Sequence, residues 1–178
     1  MWVKPGLLWR SLPQGRRGLL AVDYGLSRIG LAVTDPGWTV AQPHSVINGK
    51  QPLEKIRAEM LEVCEELALG GVVVGWPLIA NDDSAGRQCQ LVAEFMKHLA
   101  LEQPKTLWDE RYTTSIADMY LEQERFMMKG KRKKIHGKTP GLTSDKSPKD
   151  ALAAAVLLGG FLDHHGPDAS IAARQRFV

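Results

Sequence analysis

In the first part of the chain, apolar and polar positions alternate in a way that is typical of short strands. Apolar residues fill positions 19–22 and 29–33, on either side of a short polar segment. This pattern predicts two strands joined by a tight turn. After an Asp-Pro-Gly turn, residues 38–47 predict a third strand, which Pro43 interrupts. Three short strands in succession indicate an antiparallel meander.

The rest of the chain alternates between helical and strand patterns. The predicted helices cover 52–69, 88–100, 113–127 and 149–163, and the predicted strands cover 71–77 and 105–108. The last helix is apolar on nearly every side, so we expect it to lie in the interior. The order of elements predicts an α/β fold, in which three antiparallel strands and then parallel strands form a mixed sheet with helices on both faces.

Length and composition favour one domain. With 178 residues, of which 44% are hydrophobic, the chain can bury one sizeable core, whereas two independent cores would each be small. We place the domain at 19–163. A basic N-terminal arm at 1–18 precedes it, a long basic loop at 128–147 interrupts it, and a C-terminal tail at 164–178 follows it, with little in its sequence to hold it in place.

Charge, cysteine content and hydropathy narrow the class of protein. The formal net charge of +3 fits a polyanionic partner without arguing for one. The two cysteines lie in helical patterns, and we expect reduced thiols of the core. No apolar run approaches the roughly 18 residues of a membrane span, so we expect a soluble protein, monomeric or homodimeric, and cytoplasmic by default. The first 22 residues carry four cations and no acid, which fits a chloroplast or mitochondrial transit peptide as well as an ordered arm.

Carboxylates stand at the ends of several predicted elements. Asp23 follows the first strand, Asp109 and Glu110 follow the last, and Asp150 begins the final helix. Open sheets of this type bring strand ends to one edge, so residues far apart in sequence can share a site. Paired divalent ions need converging carboxylates, to activate a water and to stabilise the leaving oxygen of a phosphodiester. Ligands that offer only oxygen favour Mg²⁺ or Mn²⁺.

Each of these carboxylates also has a simpler structural interpretation. Asp23 could accept hydrogen bonds from the backbone of its own turn, since Asp close to Gly is common turn chemistry. Asp150 could offset the dipole at the start of a helix, and this role is compatible with metal binding. Glu110 and Arg111 could form an exposed ion pair that contributes little to stability. At a strand end, however, two successive acids favour a ligand role for at least one of them.

Cations concentrate in the loop at 128–147. Six of them lie within ten residues: Lys129, Lys131, Arg132, Lys133, Lys134 and Lys138. Such a run is commonly just a solvated segment, but beside a phosphodiester site it would hold backbone phosphates in a salt-dependent way. Our candidate nucleic-acid contacts are Arg28, Arg111, Lys131, Arg132, Lys133 and Lys134. Arg28 could instead pair with Asp23 or Asp35, and the sequence favours none of these three roles.

Four segments of the chain form a distinctive series. They read VDYGLSRIGLAVTDP at 22–36, GGVVVGWPL at 70–78, WDERYTTSIAD at 108–118 and KDALAAAVLLGGFLD at 149–163. In this order they resemble the YqgF (RuvX-like) family, whose members are described as Holliday junction resolvases and as nucleases for the precursor of small-subunit ribosomal RNA. Any one segment would be a weak signal, but four in order are specific.

The resemblance implies a ribonuclease H-like fold with a metal site formed by Asp23, by Asp109 with Glu110, and by Asp150. We expect Asp23, Glu110 and Asp150 to be the metal ligands. The implied activity is metal-dependent hydrolysis of phosphodiester bonds in structured nucleic acid, by an endonuclease or an exonuclease. Maturation of pre-16S-type ribosomal RNA is our first interpretation, and resolution of Holliday junctions in DNA recombination is the alternative.

Two other classes of protein remain as rivals. Asp-x-Gly followed by a second glycine-bearing strand also cradles ATP phosphates in ATPases of the sugar-kinase and actin type. Those proteins enclose the nucleotide between two such domains, and this chain has length for one. The second rival is an adaptor in ribosome biogenesis that binds nucleic acid on this fold without cleaving it. Cleavage that requires Mg²⁺ and is lost in Asp23→Asn, with binding retained, would distinguish the enzyme from the adaptor.

Overall fold

The computed structural model describes residues 1–77, 86–109 and 148–166. One sheet contains β1 (Gly18–Tyr24), β2 (Arg28–Thr34), β3 (Ala41–Asn48), β4 (Leu69–Trp76) and β5 (Lys105–Asp109). The strand order is β3-β2-β1-β4-β5. The pairs β1–β2 and β2–β3 are antiparallel, and β1–β4 and β4–β5 are parallel. This confirms the predicted mixed sheet, with its meander on one side and its parallel strands on the other.

Helices cover both faces of the sheet, as predicted. They are α1 (Leu53–Glu66), α2 (Arg87–Leu99) and α3 (Pro148–His165). Side chains alternate along β1, so Leu20 and Val22 join the core under α1 and α2, whereas Leu19 and Ala21 join the core under α3. The predicted helix at 113–127 and the basic loop at 128–147 lie outside the described residues.

Helix α3 lies along the sheet with one side fully buried. Ala154, Leu157, Leu158 and Phe161 are at most 1% exposed, which agrees with the expectation of an interior helix. The opposite side carries exposed polar residues near the C-terminal end. The helix continues to His165, so the expectation of a frayed tail from residue 164 onward was wrong for its first two residues. Their rings pack against the indole of Trp108, with centroids 5.2 Å away, and these contacts hold the last turn in place.

Strand β3 begins three residues later than predicted. Trp38 is not part of the strand, because its backbone has a φ of 60°. Its indole N–H donates to the carbonyl oxygen of Arg17, and its ring is buried against α3. Within β3, the pairing with β2 shifts by one residue at His44, just after Pro43. The predicted interruption is thus a bulge, which an edge strand tolerates.

The N-terminal arm is ordered. Pro5–Ser11 form a 3-10 helix whose Leu8 is fully buried beneath the sheet. The Lys105 N–H donates to the carbonyl oxygen of Met1, and the Val3 N–H donates to the carbonyl oxygen of Lys105, both at 2.9 Å. The arm therefore pairs with the start of β5, where an edge strand would otherwise leave its backbone groups unpaired. This arrangement agrees with the ordered-arm interpretation, and a transit role stays a prediction.

Two further expectations concern thiols and membranes. Cys64 and Cys89 are buried reduced thiols, as expected of core cysteines. In the ranges that the structure describes, no helix combines the length and the apolar character needed to cross a membrane.

Candidate functional site

Asp23 and Asp150 meet because a glycine lets the final helix approach the strands closely. Asp23, near the end of β1, pairs with Gly30 of β2. A Cβ atom at Gly30 would lie only 2.0 Å from the carbonyl oxygen of Asp150, so the first turn of α3 rests directly on this glycine. Leu19 and Ala21 of β1 pack under α3, and the alternation along the strand turns Asp23 to the same face. The two carboxylates are thus neighbours, although 126 positions separate them in the sequence.

The environment of Asp23 disfavours its ionised form. Burial, and secondly the negative charge of Asp150, raise the pKa of Asp23 from its ordinary value of 3.8 to about 6. At neutral pH the side chain is still ionised, but at a cost in free energy. A cation held between the two carboxylates would offset both the burial and the repulsion.

Arg28, at the start of β2, is a cationic neighbour of Asp150. The Arg28 Nε lies 2.9 Å from Oδ2 of Asp150, yet this oxygen is inaccessible to solvent and accepts no hydrogen bond of good geometry from the described residues. The contact is therefore a close but poorly aligned ion pair. Because the Arg28 side chain is 57% exposed, solvent screens the attraction. The sequence had suggested Asp23, Asp35 or a phosphate as the partner of Arg28. In the structure Arg28 contacts Asp150 instead, which the sequence had not suggested.

Asp35 is already engaged in its own turn. Its Oδ1 accepts hydrogen bonds from the backbone N–H groups of Thr39 at 2.8 Å and Val40 at 2.7 Å. Its Oδ2 accepts one from the N–H of Gly37 at 3.0 Å. These bonds lower the pKa of Asp35. The residue has a structural role that fixes the connection before β3.

Asp109 ends β5 at the same edge of the sheet. It pairs with Trp76 at the end of β4, and β4 lies between β5 and β1. Two strand spacings place its backbone roughly 10 Å from β1. Asp109 is half-buried and also lines a groove of about 620 Å³ beside α3. Along β5, Leu107 packs against the core under α1 and α2 and Trp108 against the core under α3, so the alternation turns Asp109 to the face opposite Asp23. Its ligand role stays a prediction.

The other predicted site residues fall outside the described residues. These are Glu110, Arg111, Lys131, Arg132, Lys133 and Lys134. Their roles as a metal ligand and as nucleic-acid contacts therefore remain predictions. In the portion of the chain that the structure describes, no group of three or more His, Cys, Asp or Glu side chains has the geometry of a metal site. What the structure does bring together is the pair Asp23 and Asp150.

The chemistry of this pair fits a divalent cation. Among the described residues, one buried oxygen of Asp150 has no hydrogen-bond donor of good geometry, and the burial of Asp23 disfavours its charge. Hard divalent ions such as Mg²⁺ bind carboxylate oxygens, and one or two protein carboxylates are common at such sites. Asp23 and Asp150 are the described residues that would hold the ion.

Sequence reasoning did not single out Gly30, which controls how closely α3 approaches. The signal was present, because an isolated glycine inside an apolar strand often marks a place where another backbone comes close. Its partner in that contact could not be read from the pattern, since residue 150 belongs to a remote helix.

Solved structures give the first comparison. Thermus thermophilus RuvC in complex with a Holliday junction substrate is 18% identical, with a TM-score of 0.47 and coverage of 84% of this chain and 96% of that chain. The yeast mitochondrial Holliday junction resolvase Ydc2 is 11% identical, with a TM-score of 0.44 and coverage of 94% and 89%.

Sequence relatives share a higher identity with this chain than these solved structures do, and a family model also matches it. A protein of Ruminiclostridium cellulolyticum described as "Putative pre-16S rRNA nuclease" is 33% identical over 148 residues, which cover 82% of this chain and 93% of that protein. A protein of Caldanaerobacter subterraneus subsp. tengcongensis with the same description is 34% identical over 147 residues, covering 82% and 95%. The family model described as "RuvX: Holliday junction resolvase" matches residues 17–164. The chain therefore belongs to the RuvX family of nucleases.

Proposed function

We propose that this protein is a divalent-metal-dependent nuclease that hydrolyses phosphodiester bonds of structured nucleic acid at the site formed by Asp23 and Asp150. The observation that carries the proposal is the meeting of these two carboxylates. One has a raised pKa, and the other has a buried oxygen to which no described residue donates with good geometry. Membership of a nuclease family makes phosphodiester hydrolysis the reaction that best suits such a pair.

Each residue of the site has a distinct part in this proposal. Asp23 and Asp150 would hold Mg²⁺ or Mn²⁺, together with a third carboxylate from Asp109 or Glu110. When bound, such an ion stabilises the charge that develops on the phosphate and makes water a stronger nucleophile at neutral pH. Asp23 can serve as a ligand only when it is ionised, so protons compete with the metal ion for this side chain. Arg28 keeps a positive charge beside Asp150 and is available to a substrate phosphate.

The names of the relatives and of the family support two candidate substrates. The curated relatives are named for pre-16S ribosomal RNA, so we propose the ends of a ribosomal RNA precursor as the first substrate. The family description names the Holliday junction, and a four-way DNA junction is therefore the second. The same carboxylate pair could act on either, because the cleaved bond is a phosphodiester in both.

A cleavage panel tests the function. The panel contains precursor ribosomal RNA ends, four-way DNA junctions and plain duplexes, each with Mg²⁺, with Mn²⁺ or with a chelator. We expect metal-dependent cleavage of a structured substrate by the wild type, and a loss of at least a hundredfold in Asp150→Asn. Asp163→Asn is the matched control, because Asp163 is an exposed carboxylate near the other end of α3.

Two outcomes would contradict the proposal. Cleavage that persists in Asp150→Asn, or that needs no divalent ion, would place the chemistry elsewhere. Tight binding of one substrate without cleavage by the wild type would instead identify an adaptor.

Arg28→Gln should tighten the binding of Mn²⁺ about two- to fivefold. The substitution removes a positive charge beside Asp150, and the exposed position of Arg28 keeps the effect small. For the same reason the free energy of unfolding should change by less than about 1 kcal/mol. Titration of free Mn²⁺ by electron paramagnetic resonance measures the affinity. Arg16→Gln is the control, since Arg16 pairs with Glu65 away from the site, and weaker Mn²⁺ binding in Arg28→Gln would mean that Arg28 orients Asp150 instead.

A further inference from the structure

The N-terminal arm exposes an unusual share of the large apolar side chains. Of the seven such side chains that are exposed in the described residues, four belong to the first nine positions: Met1, Trp2, Leu7 and Trp9. Both tryptophan side chains are 50% exposed. The four are close in sequence, and Trp2 lines a pocket with Met96 of α2 and Lys105 of β5. Exposed apolar groups of this kind commonly mark a binding site.

The arm presents these side chains on a fixed support. Leu8 is fully buried in the core under α3, and the backbone of residues 1–3 is hydrogen-bonded to Lys105 of β5. The Ser11 hydroxyl donates to the carbonyl oxygen of Leu7 at 3.1 Å. Because the arm is anchored at both ends, a ligand that binds to Trp2 or Trp9 does not have to order a loose tail first.

Charge on the arm favours a polyanion. The first 22 residues contain no acid. Lys4, Arg10 and Arg17 are exposed, and the Arg10 guanidinium lies 4.8 Å from the centroid of the Trp9 ring. Tryptophans interleaved with cations are typical of surfaces that bind single-stranded nucleic acid, where rings stack on bases and cations contact phosphates. An acidic protein could form ion pairs with the cations, but it has fewer planar groups than a nucleic acid to stack on the indole rings.

The arm lies at the other end of the sheet from the carboxylates. It pairs with Lys105 at the start of β5, and Asp109 ends the same strand. A Cβ atom at Gly6 would lie 3.7 Å from Nδ1 of His165, near the C-terminal end of α3. The length of α3 between Asp150 and His165 is roughly 22 Å, which about seven stacked nucleotides of a single strand would span. The family model matches residues 17–164, so the arm lies outside the part of the chain to which the family assigns a role.

We propose that Trp2 and Trp9, with Lys4 and Arg10, form a binding surface for a single-stranded flank of the nucleic acid. Unpaired bases stack on the two indole rings, and the cations contact the adjoining phosphates. This inference rests on the proposed function, since the strand held by the arm would be continuous with the substrate at Asp23 and Asp150.

A binding assay under conditions that prevent cleavage measures the contribution of the arm separately. The probe is a fluorescein-labelled single-stranded RNA of 15 nucleotides, compared with a blunt duplex of the same sequence, in a chelator and in an Asp150→Asn background. Replacing both Trp2 and Trp9 by Ala should weaken binding of the single strand at least tenfold and binding of the duplex less than twofold. Phe at both positions should restore most of the affinity. Leu67→Ala is the control, because Leu67 is an exposed apolar residue outside the arm.

Salt dependence tests the cations separately. Replacing Lys4 and Arg10 by Gln should reduce the slope of log affinity against log salt by about 1.4, as expected for the loss of two phosphate contacts to a single strand. The slope should stay at the wild-type value in Leu67→Ala.

Two outcomes would overturn the inference, and a third would separate it from the proposed function. One is wild-type affinity for the single strand after both tryptophans are replaced, with thermal unfolding unchanged. Another is a wild-type dimer in analytical ultracentrifugation that becomes monomeric in the double variant, because the arm would then be an interface between copies. Absence of cleavage by the wild type with intact binding by the arm would refute the proposed nuclease activity and leave the arm's assignment in place.

Discussion

Replacing Asp23 by Asn should make the protein more stable at pH 8 while abolishing metal-dependent cleavage. Burial, with the charge of Asp150, raises the pKa of Asp23 to about 6 in the folded state, against an ordinary value of 3.8. The folded state therefore binds this proton more tightly than the unfolded state does. The stabilisation is complete below about pH 4 and is lost as the pH rises through 6. At pH 8 without metal, the ionised side chain costs about 2–3 kcal/mol, which Asn does not incur.

Thermal unfolding in a chelator measures this effect. At pH 8 the Tm of Asp23→Asn should exceed that of the wild type by about 4–10 °C, and the difference should vanish near pH 4. Mg²⁺ should raise the Tm of the wild type and not that of the variant. The Mg²⁺ affinity of the wild type should fall as the pH drops below about 6, because protons then compete with the ion for Asp23.

The matched control is Asp163→Asn, on the exposed side of α3. It should change neither the Tm profile nor the cleavage rate. A lower Tm of Asp23→Asn at pH 8 would contradict the picture of a strained carboxylate. Such a result would favour the alternative in which Asp23 is satisfied by hydrogen bonds in its own turn.

Replacing Gly30 by Ala should displace the first turn of α3 and weaken metal binding. The added Cβ would lie 2.0 Å from the carbonyl oxygen of Asp150 and 2.6 Å from its carbonyl carbon. Both atoms belong to the backbone, so no side-chain rotation relieves the overlap. Overpacking of this kind costs about 1–3 kcal/mol, and sometimes more. Because Asp150 moves with the turn, we expect at least a tenfold loss of Mn²⁺ affinity as well.

Gly159 on the same helix provides the control. A Cβ atom there would meet nothing within 4 Å, and Ala is favoured over Gly inside a helix by about 0.5–1 kcal/mol. Gly159→Ala should therefore be slightly more stable than the wild type, with unchanged Mn²⁺ binding. Chemical denaturation and Mn²⁺ titration measure the two effects. Equal behaviour of the two variants would show that α3 does not depend on the close contact at Gly30.

Local patterns were enough to predict the elements of this fold. All predicted strands and helices within the described residues are present, with ends shifted by at most three residues. The largest shifts occur where tertiary contacts override the pattern, as at Trp38, whose ring is drawn under α3. The alternation of two residues in a strand and the helical period of 3.6 are properties of the backbone itself, so they can be read without knowing the partners.

Reasoning from the sequence predicted only part of the candidate site. Carboxylates at strand ends and at a helix start identified Asp23 and Asp150, since the topology of an open sheet brings such ends together. The partner of Arg28 was not identified, because the choice among nearby acids depends on distances of a few ångströms. The binding surface that we assign to the arm also required the structure, since exposure of Trp2 and Trp9 depends on what Leu8 buries.

The amino-acid sequence by itself determined the strands, the helices, the family and the carboxylates that could form a site. Only the tertiary structure decided how closely α3 approaches β2, which acid Arg28 contacts, and that the arm pairs with β5. The physical reason is that periodicity and turn chemistry act between near neighbours in the chain. Contacts between remote residues depend instead on how whole elements pack, and a single missing side chain, at Gly30, sets that packing here.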